Sequence, residues 1–466
     1  MGALPEVILI EFNELCPAFL REFMDDGLLP NFRKLYRSSR IFTTDAGEEE
    51  RYLEPWIQWV TVHSGMTRSE HNVFHLGEGR DLKERCIAQL LSDAGIPVGV
   101  FSSMNTNYRE LNGYVIPDPW DTEGSPSPRW LEPFYRTVAN QVQESSKEDA
   151  FTKKDMARFG WFMLRNGLTF SSIRAIMGQL LDERRDPGTS WRRASLLEHV
   201  QYDLFRRLNR RFGVRFATFF CNSTAHYQHY FWRNMEPERF QMQPPSKDHS
   251  TLRDAIQYGY QSMDRIVGRF LDDYPDSAIL LSTGLSQKAW DTTKCTFRPR
   301  SFKKLLEFAG IPHESVEVRP VMAEQFHVRC SSEEDARRAA EGLKGLITDH
   351  SPIMAVELNG DSVFAGCRAT DATFLDSAVV RNGNSVEKSF VDLFYMVHSV
   401  RSGRHHPDGV LWIRDGKNGK HEINEEKVPL TVIAPAILNY FGVELPSHIS
   451  AEPAAGFSGL AARQAV

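Results

Sequence analysis

The run Val7–Phe12, VILIEF, constrains the fold more than any other feature of the chain. A short apolar and β-branched stretch of this kind reads as a parallel strand buried under helices. The next segments of the chain keep that pattern. Pro17 and Pro30 stand where helices begin, the second opening PNFRKLYRSS. Pro55 opens PWIQWVTVHSG, which Gly65 can terminate. A helical period from Leu82 to Ala94 stops at Gly95, and Pro97 to Ser102 reads as the next strand. Strand, helix, strand in this order predicts an α/β fold with a doubly wound, mostly parallel sheet.

The 466 residues are more than such a core needs, since single α/β domains rarely pass ~250–300 residues without insertions. The first part of the core is expected over 1–128. An almost wholly helical insertion over 129–212 suits a cap or an interface. The core returns over 213–310, with strands at Val214 to Cys221 and Ala278 to Ser282 around a long helix from Ser250 to Tyr274. A small β-α-β insertion is expected over 311–375, and the core closes over 376–449 with a strand at Gly409 to Ile413 and a helix from Val428 to Phe441. The alanine- and glycine-rich tail, 450–466, is expected to be loosely held.

Composition narrows the function classes. With 41% hydrophobic residues, 25% charged residues and a formal net charge of −6, the chain lacks the basic balance of a nucleic-acid binder. A solvated helix face explains the arginine-rich run from Trp191 to Arg215 at least as well as an anionic partner does. No segment offers ~20 uninterrupted apolar residues, so no membrane span is expected. In the most apolar helical stretch, Phe159 to Leu181, the polar Arg165, Asn166 and Arg174 point to burial or a partner contact and not to lipid. MGALPEVILIEFNEL reads as a first strand and not as a secretion signal, and the six cysteines are scattered. Both fit a cytoplasmic protein with reduced thiols.

Six segments, in order, resemble the type I phosphodiesterase and nucleotide pyrophosphatase branch of the alkaline phosphatase superfamily. VILIEFNELCP is similar to the first strand and its Asp-Gly turn, and PWIQWVTVHSGMTRSEHNVF to the nucleophile helix. FFCNSTAHYQHYFW is similar to the strand ending in Asp-x-x-x-His, and ILLSTGLSQ stands where a Ser-Asp-His-Gly turn belongs. RHHPDGVLWIRDG stands at the place of the last histidine, and VPLTVIAPAILNYFGVELP resembles the final helix. The resemblance implies an alkaline phosphatase-like fold acting on small anionic esters with divalent metals. Its ligand positions are altered. Asn13 stands for the first aspartate, Asn222 for the aspartate of Asp-x-x-x-His, and Thr283-Gly284-Leu285-Ser286 replaces the Asp-His pair. The nucleophile position falls on Pro55, or on Glu54 with a one-residue slip, while His226 and His405 match. A standard two-zinc cluster, which needs several anionic ligands, is therefore not expected.

The candidate site is built from these positions. Glu54, ahead of a helix start, can serve as base, nucleophile or metal ligand, or simply as a cap. Asn13 and Asn222 follow strands at the carboxyl edge, where open α/β sheets bind ligands, although Asn also suits tight turns. His226 and His405 are the candidate metal ligands, with His229 and His406 as the weaker pair; packed, hydrogen-bonded histidines are the plain alternative. Gln58, Thr283 and Ser286 are candidates to bind substrate. One Mg, Mn or Zn ion suits such a set better than paired zinc.

Three functions remain open on the sequence. One is a phosphoester or related ester hydrolase or transferase with an altered metal site. Another is a degenerate relative that binds an anionic ligand or a protein partner, with the helical insertion supplying a partner or self-association surface. The third is metal-free chemistry using Glu54 as base and a histidine as acid.

Overall fold

A computed structural model of the chain describes residues 4–451 except 122, 144–152, 322–324, 349–350, 372, 384–385 and 398–400. Its centre is the expected mixed, mostly parallel sheet. In order across the sheet run Glu422–Ile423, Arg40–Asp45, Asp408–Asp415, Ala278–Ser282, Val7–Phe12, Phe216–Cys221, Val98–Phe101 and Gly113–Ile116, with Val428–Pro429 also pairing Arg40–Asp45. Val7–Phe12 lies parallel to both of its neighbours, pairing Phe12 with Cys221 on one side and Glu11 with Ser282 on the other. Among the described strands of this sheet, only Asp408–Asp415 runs against its neighbours.

The central strand shows why the sheet must be covered twice. Ile8, Ile10 and Phe12 enter one apolar core with Tyr202, Phe219 and Phe270, whereas Val7 and Leu9 enter a second with Trp59, Leu280 and Ile437. Side chains alternate across a strand, so one run feeds both helical layers. The Pro55–Ser64 helix starts on its proline and ends at Gly65, whose φ of 71° is the left-handed conformation that glycine adopts without steric cost.

Two segments of the chain stand between strands of this sheet, one helical and one with a small sheet of its own. The helical one comprises Glu132–Gln143, Lys153–Arg165, Phe170–Arg185 and Arg193–Phe212 with short 3-10 turns. The small one is a four-stranded antiparallel sheet, Met354–Asn359, Ser362–Cys367, Gln325–Arg329 and Glu317–Pro320, backed by the Glu333–Lys344 helix. Its own apolar core draws on residues from Cys295 to Phe394, wider than the β-α-β pattern alone.

Several expected boundaries shift. The helix expected from Leu82 begins only at Ile87, after Cys86, whose backbone N–H donates to the Asn107 side chain. The helix expected from Ser250 is broken, with Ser246–Leu252 and Ala255–Asp273 as separate pieces. The stretch from Phe159 to Leu181 is two helices, and much of its apolar surface is exposed instead of buried. The tail expected to be loose lies, from 452 on, outside the described residues.

Candidate active site

The carboxyl ends of three parallel strands converge on one turn. Val7–Phe12 leads into Asn13 and Glu14, Phe216–Cys221 into Asn222, and Ala278–Ser282 into Thr283. Glu14 has φ of 62°, a conformation a non-glycine residue adopts only when its surroundings hold it. Here they do. Its N–H donates to the Thr283 carbonyl at 3.2 Å, and its own carbonyl accepts from Gln228 Nε2 at 2.7 Å. Gln228 Oε1 in turn accepts from the Cys16 N–H and from the Tyr260 hydroxyl. The turn is fixed at both ends, and it drives the Glu14 carboxylate inward to 2% side-chain exposure.

Two histidines meet that carboxylate. His229, on the Ser223–Met235 helix, brings Nε2 to 3.0 Å from Glu14 Oε2. His405, on the Arg401–His406 strand, brings Nε2 to 3.3 Å from the same oxygen. That strand pairs antiparallel with Ser286–Lys294, setting His405 opposite Gln287, and Gln287 Nε2 also donates to Glu14 Oε2. The ligand atoms of Glu14, His229 and His405 all lie within 4.8 Å of one another. Glu54 adds a second carboxylate, its Oε2 3.5 Å from His405 Nδ1.

Charge is distributed unevenly over the group. The two histidines hold the Glu14 carboxyl well below the usual range against the opposing effect of burial. Burial and the nearby Arg401 push His229 down to about 4, so its imidazole is neutral. His405 moves the other way, because Glu14 and Glu54 raise it more than burial lowers it. The neutral His229 ring has Nδ1 at 3.0 Å from the Gly403 carbonyl. Such a carbonyl partner is what usually orients a metal-ligating histidine, and with an ion bound it would hold the proton on Nδ1 and free Nε2 for the ion.

The donor set fits one divalent ion. Two imidazole Nε2 atoms and a carboxylate form a three-ligand set of the kind that leaves a further coordination position open. Tetrahedral ligands ~2.0–2.1 Å from zinc stand about 3.3 Å apart, close to the observed 3.0 and 3.3 Å. His405 Nε2 is buried and, near as it is to Glu14, makes no well-aligned hydrogen bond. It is the one cluster of three or more such donors among the described residues.

The other candidate residues fall into two groups. Asn13 is buried next to Glu14 as a strut. Its Nδ2 donates to Glu14 Oε1 at 2.7 Å and to Asn222 Oδ1 at 2.8 Å, and its Oδ1 accepts from Trp59 Nε1 at 2.8 Å. Thr283 supports the turn, with its hydroxyl accepting from the Val410 N–H. Gln58 lies one turn beyond Glu54; its Nε2 donates to the Tyr52 carbonyl, while its buried Oε1 meets no donor among the described residues. Ser286 opens the strand that pairs with His405 and His406. His226 and His406 stand outside the cluster. The His226 ring packs against Tyr230 at 4.9 Å, and His406 Nδ1 accepts from the Asp408 N–H.

Sequence reasoning missed Glu14, which neighbours the position it chose and carries the charge Asn13 lacks. The acidic residue at the end of a buried strand was the available signal. The left-handed turn that directs it inward was not visible in the pattern.

No family model matches the chain, and no curated protein matches it. Among solved structures it is similar to human ectonucleotide pyrophosphatase / phosphodiesterase 5, at 8% identity over 95% of this chain and 96% of that one, with a TM-score of 0.39. It is also similar to phosphonoacetate hydrolase from Sinorhizobium meliloti 1021. The complex with phosphonoformate matches at 10% identity over 93% and 94% of the two chains with a TM-score of 0.35. The complex with phosphonoacetate matches at the same identity and coverage with a TM-score of 0.36.

Proposed function

We propose that the chain is a hydrolase or transferase of small phosphoesters, or related anionic esters, built around one divalent-cation site at Glu14, His229 and His405. The observation that carries this reading is the convergence of a carboxylate in a left-handed turn with two imidazoles from separate elements. The order of the sequence landmarks supports the same reading. When bound there, a divalent ion would supply Lewis-acid polarisation of an ester oxygen. Zinc suits two imidazoles and a carboxylate best, with Mn or Mg as alternatives.

Around it, the chain's own groups take defined parts. Glu54, at the start of the Pro55–Ser64 helix, is the base that accepts a proton from the attacking hydroxyl or water. His405 Nδ1 orients that carboxylate. The helix N-terminus favours an anionic ester group beside it.

A second reading is a catalytically silent relative that binds an anionic ligand or a partner. It is favoured by the extent to which Glu14 is already engaged by Asn13, Gln287 and both histidines. Metal content of untagged protein by mass spectrometry, followed by a phosphomonoester and phosphodiester panel, separates the two. The enzyme reading expects a bound divalent metal that disappears in a His229→Ala/His405→Ala variant, and turnover that Glu54→Gln abolishes while metal stays bound. Metal without turnover supports the silent relative. Turnover indifferent to chelation rules out the metal site and moves the chemistry to Glu54 and His405 alone.

A further inference from the structure

The Lys153–Arg165 and Phe170–Arg185 helices leave large apolar side chains in water. Phe170 is 81% exposed and Trp161 61%, and Leu164, Met177 and Leu181 are exposed with them. On the second helix Phe170, Arg174, Met177, Leu181 and Arg184 recur at spacings that place them on one face. On the first, Lys154, Arg158, Trp161 and Arg165 do the same, with the Arg165 guanidinium 5.1 Å from the Trp161 ring.

The charge on these faces has one sign. Lys154, Arg158, Arg165, Arg174, Arg184 and Arg185 are exposed, whereas on the second helix Asp182, its side chain 49% exposed, and Glu183 pair with Arg192 and Arg193. This local excess of cations sits on a chain whose net charge is −6. Two like faces of a second copy would repel. Exposed aromatic and leucine side chains set among lysine and arginine, with the acids of the second helix paired to arginines, instead match the chemistry of helices that lie in an anionic lipid interface. Arginine suits this arrangement because its stem packs against apolar surface while its head stays in water.

We propose that the exposed face of these two helices docks on an anionic phospholipid surface, with Trp161 and Phe170 entering the boundary between headgroups and acyl chains. The chain binds from one side without crossing, since no helix among the described residues is long and apolar enough to span a membrane.

Flotation of the full chain with vesicles tests this. Phosphatidylcholine vesicles alone are compared with vesicles containing about one-third phosphatidylglycerol. The chain is expected to float with the anionic vesicles only and to be released by high salt. Trp161→Ala/Phe170→Ala should weaken binding at least about tenfold, and Arg174→Glu/Arg184→Glu should abolish it. All four positions are exposed, and circular dichroism checks that the fold is kept. Absence of anionic preference, or variants that float like the parent chain, overturns the proposal. So does light scattering that shows a dimer dissociated by Trp161→Glu with no vesicle binding, which would assign the face to a second copy.

Discussion

Glu198 caps the helix that carries His229, and its own titration makes its burial measurable. The side chain comes from the Arg193–Phe212 helix and caps the start of the Ser223–Met235 helix. Its Oε1 accepts from the Asn222 and Ser223 N–H groups at 2.8 and 2.7 Å, and its Oε2 meets the Ser223 hydroxyl. Burial raises its pKa from the ordinary 4.5 to about 7, even though these hydrogen bonds act to lower it. The folded state therefore keeps a proton that the unfolded chain has already lost at neutral pH. The resulting stability is fully present below about pH 4.5 and is lost as pH rises through about 7. At about 1.4 kcal/mol per pH unit between those two values, the contribution is about 3 kcal/mol. Glu198→Gln keeps the shape and the acceptor but cannot ionise. It should match the parent chain near pH 4 and exceed its stability above pH 8 by an amount approaching that figure, read as a rise of roughly 3–6 °C in melting temperature. Other buried groups titrate in the same range, so the informative quantity is the difference between the two proteins across pH. A difference that stays constant from pH 5 to pH 8.5 would refute the assignment of a buried, proton-holding Glu198.

The packing around the site predicts three further outcomes. The left-handed conformation of Glu14 should make Glu14→Gly more stable than Glu14→Ala by about 1 kcal/mol in urea denaturation, and equal stability would show that the turn relaxes. Glu11 and His63 are almost fully buried and 3.1 Å apart beneath the Pro55–Ser64 helix. His63→Ala should cost about 3–5 kcal/mol by leaving that carboxylate alone, whereas Glu11→Leu/His63→Leu should cost far less; equal losses would show that the pair is not coupled. A Cβ added at Gly403 would stand 2.4 Å from Gln287 Oε1 and 2.5 Å from the Gln228 carbonyl. Gly403→Ala should therefore displace His405 and weaken metal uptake in titration calorimetry while leaving the circular dichroism spectrum unchanged.

The parts of the fold that were legible are those where a local rule and the tertiary demand agree. VILIEF could only be a buried strand, and Pro55 with Gly65 bounded a helix at both ends. Leu82 to Cys86 carried a helical period but does not form one, because side-chain contacts from Asn107 hold that segment: Asn107 Nδ2 donates to the Leu82 and Glu84 carbonyls. Such contacts join residues more than twenty positions apart and leave no periodic trace. The same holds for the small insertion. Its antiparallel order brings Gln325–Arg329 between Ser362–Cys367 and Glu317–Pro320, a pairing set by register and not by composition.

At the site, the sequence located the sheet edge and the two chain segments that bring histidines to it, but not the orientation of the side chains. His226 and His229 differ by three positions on one helix. The packing of Tyr227, Tyr230 and Phe231 decides which of them looks inward, because His226 is taken up among those rings. At the end of the first strand the difference is a single residue. An aspartate at position 13 would reach the sheet edge directly, whereas Asn13 spends its amide on Glu14 and Asn222. The negative charge moves one position along the chain, and a left-handed turn is needed to bring it back to the same place. A strained turn that several buried residues hold in place is retained against the easier extended conformation only through its compensating contacts. The carboxylate it presents, shared by two histidines, is therefore the part of this chain where altered sequence and site geometry have to be read together.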